Sequence, residues 1–268
     1  MERRCKPDFV SAIENLEHRM ISFRFATLVI MLLLIFDIFL RGFRNNAELM
    51  GMNANIGVLP FLQSHNYFMK IVLLGVVYFY SNVPFMEREQ LYVLARIGKR
   101  KWGRRNLSYI VGSSFFMTIL LFVISVVEIV SVGKCSAEWD AVYKTLALTG
   151  GNREMMFGIS YRIMEAYCPV QLLFGTLLLD WLIIMFLGLV MYVVSLYGYR
   201  TASCVLAVIL VFLPSVSEWL TIDSLVYYSP VSWLDCDNWR IGFDNTKPDM
   251  AYMLIASLFL IFLLMLLC

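Results

Sequence analysis

The stretch Pro169 to Leu196 reads PVQLLFGTLLLDWLIIMFLGLVMYVVSL, 28 residues in which Asp180 is the single charge and apolar positions do not alternate with polar ones. As a helix it rises about 42 Å at 1.5 Å per residue, more than the roughly 30 Å of a bilayer's hydrocarbon core. Lipid offers no hydrogen-bond partner to an open backbone, and a barrel strand would alternate, so the stretch is expected to be a transmembrane helix. Five further blocks of the same kind lie outward from it: Phe23 to Leu40, Tyr67 to Met86, Ser108 to Val132, Thr201 to Leu220 and Ala251 to Cys268. The expected fold class is therefore an all-α membrane protein, with six transmembrane helices over 23–268 and a distinct segment, 1–22, before them.

The composition of the 268 residues agrees. It is 60% hydrophobic, 15% aromatic and 16% charged, where a soluble domain carries about a quarter charged residues. A net charge of +2 gives no basic footprint for nucleic acid. The 22 Lys and Arg are unevenly placed: thirteen fall in the N-terminal segment up to Arg24, in Glu87 to Asn106 and in Tyr197 to Arg200. The other loops are longer and hold fewer. Positive charge marks the cytoplasmic side, so both termini are expected in the cytoplasm of a multi-pass plasma-membrane protein. Asp8, Glu14 and Glu17 precede the first block and no small-residue cleavage site follows it, so no removable signal peptide is expected.

On that map Cys135, Cys168 and Cys236 lie outside, where a disulfide can persist. Cys135 and Cys168 bracket one outer loop and are a candidate pair, but three outer cysteines leave connectivity open, and all six cysteines could equally be reduced. With only His18 and His65 and no CxxC, a zinc site has little to be built from.

Two inner features carry the functional reading. Phe9, Ile13, Leu16, Met20 and Phe23 recur at helical spacing opposite Asp8, Ser11, Glu14, Asn15, Glu17 and Arg19, which predicts an amphipathic helix in the interface plane. It is either a simple anchor or a lever that passes force to the first span. In the sizeable inner loop, Glu87 to Ile97 reads as a short helix ended by Gly98. Lys99, Arg100, Lys101, Arg104 and Arg105 then surround Trp102, a basic and aromatic cluster suited to anionic headgroups. A plain positive-inside loop accounts for that cluster, but not for a separate helix carrying both signs of charge.

Taken with a loop carrying Trp139 to Thr149 and with Tyr228-Ser-Pro-Val-Ser-Trp before the last span, these features resemble the membrane subunit of a type-2 ATP-binding-cassette exporter. The resemblance covers nearly the whole chain in topology, and its motifs are of moderate specificity. It implies that the inner loop is a coupling helix docked on an ATPase, with Glu87, Arg88, Glu89, Tyr92 and Arg96 as the contacts and Lys99, Arg100, Lys101, Trp102, Arg104 and Arg105 as the membrane anchor. It implies a cytoplasmic ATPase in two copies and a second permease, identical or related, among membrane lipids. It also implies that the second and fifth spans line the route, making Tyr80, Phe212 and Pro214 pathway candidates, and that short helices before the sixth span cap the exit.

The chain has no GxxxxGK[ST] phosphate loop, so ATP and Mg are expected on the partner and no cofactor on this chain, which is not expected to be an enzyme. Asp180 lies about 16 Å into its helix, close to the mid-plane, where a charge costs about 2.5 to 3.5 kcal/mol. It has either a structural role, hydrogen-bonded or protonated, or a transport or proton-linked one. Asp37, four residues before Arg41, and Glu128 and Glu218 are placed at outer ends. Trp139, Val142, Tyr143 and Leu146 predict a short amphipathic helix at the outer interface. With both His outside the apolar blocks, an intramembrane protease lacks its residues. The alternative function is a non-transporting polytopic membrane receptor or immunity protein. The expected substrate of an exporter is amphipathic or hydrophobic: a peptide, antibiotic or lipid.

Overall fold

The computed structural model describes residues 23–82, 95, 98–150, 155–220, 224–242 and 247–268. Its elements are α1 (Phe23–Met50), β1 (Ala54–Asn55), α2 (Leu59–Ser64), α3 (Asn66–Tyr80), α4 (Lys99–Ile129), β2 (Gly133–Lys134), α5 (Ala141–Thr149), α6 (Tyr161–Ala166), α7 (Pro169–Leu196), α8 (Arg200–Leu220), α9 (Ser224–Tyr228) and α10 (Met250–Leu267), with 3₁₀ turns at Pro230–Leu234 and Cys236–Asn238. The predicted amphipathic helix over 1–22 and the predicted coupling helix lie outside the described residues, apart from helical Ala95.

The core is arranged around α7. Apolar on every side, α7 has 78% of its most apolar window buried and packs against α3, α4, α8 and α10, as a helix without a polar face must. By contrast α10 has 17% of its window buried and presents Ile255, Leu258, Phe259, Phe262 and Leu266 at the surface, a face suited to lipid. Two neighbours close on α7 at a glycine: a Cβ at Gly188 would stand 3.0 Å from Ile110 Cγ2 of α4 and 3.2 Å from Tyr80 Cζ of α3. Small residues let apolar helices approach to this distance.

Among the described residues four helices, α1, α4, α7 and α10, are long and apolar enough to cross a membrane. The second and fifth blocks give shorter apolar stretches, α3 itself and Arg200–Val216 within α8. At 15 residues α3 rises only about 22 Å. Its start is set by His65, whose extended backbone breaks the chain between α2 and α3 and whose Nδ1 accepts from the Phe68 N–H at 3.4 Å. Burial lowers the His65 pKa, which keeps that nitrogen an acceptor.

The long connections fold together as a cap over one end of the bundle. β1 and β2 leave α1 and α4 in the same direction and pair in parallel, Ala54 opposite Gly133 and Asn55 opposite Lys134. Tyr143 donates its hydroxyl to the Asn55 carbonyl at 2.7 Å, and Asn55 Nδ2 donates to the Ser136 carbonyl at 2.6 Å. The helix predicted from Trp139, Val142, Tyr143 and Leu146 is α5, closed by Gly150 in the left-handed region at φ 72°. Its apolar stripe is buried in protein: Tyr143 and Trp139 pack against Phe61, and Phe43 packs against Tyr143 and Phe157. The segment before α10 is a second wedge of the cap, with Trp233 and Trp239 each 1% exposed. Trp239 Nε1 donates to the Trp233 carbonyl at 2.9 Å, and Trp233 Nε1 to the Val226 carbonyl at 3.0 Å.

Candidate functional site

Where the cap meets the bundle, a polar cluster sits in apolar surroundings. Asp180 of α7 is 2% exposed and Gln63 of α2 is 4% exposed. Gln63 Nε2 donates to both Asp180 carboxylate oxygens at 2.8 Å, while the buried Gln63 Oε1 has no partner. Such a contact ties the cap to the helix at the centre of the fold across 117 residues of sequence. The next residue, Ser64, lies 2.8 Å from Cys236 Sγ, so two consecutive side chains of α2 hold α7 and the second 3₁₀ turn. Burial pushes the Cys236 thiol well up from its ordinary value. Beside it, Asp235 accepts from the Asp237 N–H at 2.9 Å and from Asn238 Nδ2 at 3.1 Å. Burial, reinforced by the Asp237 charge, raises its pKa to about 7.

The four pathway candidates do not converge. Tyr80 is fully buried, and its hydroxyl lies 2.9 Å from Ser113 Oγ, so it cements α3 to α4. Asp180 faces Gln63. Phe212 is 42% exposed, with Lys70 Nζ 5.8 Å from its ring centroid and the same distance from that of Tyr67. Pro214 is inside α8 and buried. Gln63 and Lys70 were both missed as site residues, although each is a polar residue in an otherwise apolar run. Cys135 and Cys168 are exposed thiols on the cap, not joined to one another.

At the other end of the bundle the predicted anchor cluster forms the start of α4, where Gly98 at φ 85° admits the chain to the helix. Lys99, Arg100, Lys101 and Arg104 are exposed, and Arg105 and Trp102 half-buried. The Trp102 ring sits 6.5 Å from that of Tyr192 on α7. On the same rim Arg24 donates to Ser81 Oγ at 2.7 Å and Arg200 to the Asn82 carbonyl at 3.2 Å. Glu87, Arg88, Glu89, Tyr92 and Arg96 lie outside the described residues. Among the described residues no group of three or more His, Cys, Asp or Glu is placed to hold a metal.

Together these features define an all-α protein of membrane character. No protein-family model, curated protein or solved structure matches the chain.

Proposed function

We propose that the chain is the permease subunit of an ATP-driven exporter of the type-2 ATP-binding-cassette class, moving an amphipathic or hydrophobic substrate. In this reading the bundle has six spans, the cap is extracellular and both termini are cytoplasmic. A separate ATPase in two copies holds ATP and Mg and docks on Glu87, Arg88, Glu89, Tyr92 and Arg96, and a second permease completes the route. The supporting observation is the folded wedge from α9 through both 3₁₀ turns, packed among α2, α7, α8 and α10 just before the last helix. It is what the resemblance implies for an exit cap. At the opposite end the basic start of α4 lies where a coupling loop would meet lipid headgroups. Closure of the ATPase pair would then bias the bundle between two states, a ligand-driven population shift.

Affinity purification of the chain in mild detergent, with mass spectrometry and an ATPase assay of the eluate, tests this. A stoichiometric cassette ATPase is expected. Replacing Glu87, Glu89 and Arg96 together with Ala should cut its recovery at least about tenfold, the loss of roughly 1.4 kcal/mol of docking, while the permease still folds. A six-span protein that recovers no ATPase from several detergents and from native membranes would overturn the reading in favour of a receptor or immunity protein.

A further inference from the structure

Asp180 is a carboxyl group buried in the most enclosed of the four long apolar helices, and among the described residues its neighbours supply no cation. Of the elements packed on α7, α2 and the turn Pro230–Leu234 carry no charged side chain. On α3, Lys70 lies against Tyr67 and Phe212, and Tyr80 is engaged with Ser113. On α4, the basic side chains Lys99 to Arg105 stand at the end away from the cap, whereas Glu128 is held by Arg44. Arg200 of α8 reaches the Asn82 carbonyl, and on α10 Tyr252 donates to the Tyr227 carbonyl. Asp180 therefore has a single described partner, the Gln63 amide, whose own oxygen is buried and unpartnered.

An ionised carboxylate in this position would be an uncompensated buried charge, and the orphan Gln63 Oε1 would add the cost of a lost hydrogen bond. A neutral acid removes both difficulties at once. A carboxylic acid and a primary amide are complementary, each with one donor and one acceptor edge to edge. We propose that Asp180 and Gln63 form a proton-binding site: when the acid is neutral, the amide turns from its pose with Nε2 on both carboxylate oxygens, so that the acid O–H donates to Gln63 Oε1 and Gln63 Nε2 donates to the other Asp180 oxygen. The ligand is one proton, and binding it fastens the cap to the bundle through α2 and α7. Releasing it leaves a buried carboxylate facing an amide oxygen and loosens that joint. The inference stands independently of any ATPase partner.

Infrared spectroscopy of the purified full-length chain reads the site directly. At about pH 8, where solvent-accessible carboxyls are ionised, the wild-type protein should keep a neutral-acid carbonyl band that disappears in Asp180→Asn. Gln63→Leu should move that band to higher frequency, because the acid loses its acceptor. Asparagine reproduces the neutral donor and acceptor pattern, so Asp180→Asn should also melt within about 4 °C of wild type. A spectrum with no neutral-acid band assignable to Asp180 would overturn the proposal, as would an Asp180→Asn chain that folds but leaves the band in place. Should either variant fail to accumulate, Asp235→Asn protein labelled with carbon-13 at its aspartate carboxyls gives the answer alone, since Asp235 is the other aspartate whose pKa burial raises: persistence of a neutral-acid signal at about pH 8 supports the site, and its absence overturns it.

Discussion

Arg44 shows how a charge is made tolerable at the edge of an apolar bundle. It bonds the Asp37 carboxylate on its own helix and reaches across to α4, where it donates to the Glu128 carboxylate at 2.7 Å and the Glu128 carbonyl at 2.9 Å. Arg44 and Glu128 side chains are 22% and 15% exposed, whereas Arg41, 2.8 Å from Asp37, is 66% exposed. The two arginines should therefore differ sharply. Arg44→Ala strands Glu128 in a half-buried position and is expected to cost about 3 kcal/mol, since breaking a largely desolvated pair leaves an unpaired charge. Arg41→Ala removes an exposed pair worth under about 1 kcal/mol. Melting midpoints of the two variants in one detergent check this, and equal losses would refute the distinction.

At the scale of elements, the 3₁₀ segment between α9 and α10 owes its shape to two tryptophans and a carboxyl. Asp235 caps the second turn from a half-buried position, with its pKa raised to about 7. The folded protein thus holds a proton that the unfolded chain, with an ordinary aspartate value near 3.8, gives up earlier. Its contribution is complete below about pH 4 and is lost as pH rises through about 7, so wild-type stability should fall between pH 5 and 7 by at most about 1.4 kcal/mol per unit. In Asp235→Asn that component of the slope should vanish, as read from melting midpoints at stepped pH. The same segment shows what one sequence reveals. Its aromatic character and its place before the last helix were legible because burying Trp, Tyr and Pro near a span end is a local pattern. The unbroken apolarity of Pro169 to Leu196 likewise marked a span, though not that it would be the helix at the centre of the bundle. The length of α3 was not legible, because Val58 to Gln63 is nearly as apolar as the span that follows and the break at His65 is a backbone choice. Nor was the Asp180–Gln63 pair, whose members are 117 residues apart and meet only once the cap has folded.

For the whole molecule, the decisive quantity is which side of the membrane the cap occupies, and the cysteines report it. Cys135 and Cys168 are exposed on the cap, Cys236 is buried in that same cap against Ser64, and Cys204 and Cys268 lie toward the end carrying the basic start of α4. The thiolate is the reacting species, and burial pushes the Cys236 thiol up, so Cys236 should be inert from either side. In intact cells a membrane-impermeant maleimide is expected to modify single-cysteine chains retaining Cys135 or Cys168 at least about tenfold faster than one retaining Cys236, because the first two are exposed and the third is buried. Single-cysteine chains with Cys204 or Cys268 should react only after the membrane is opened. The reverse pattern, in which the cap thiols need permeabilised cells, would place the cap in the cytoplasm and overturn the orientation on which the exporter reading depends. Repeating the labelling on the otherwise wild-type chain with and without prior reduction then separates two exposed thiols from a Cys135–Cys168 bridge, because only the bridge makes labelling depend on reductant.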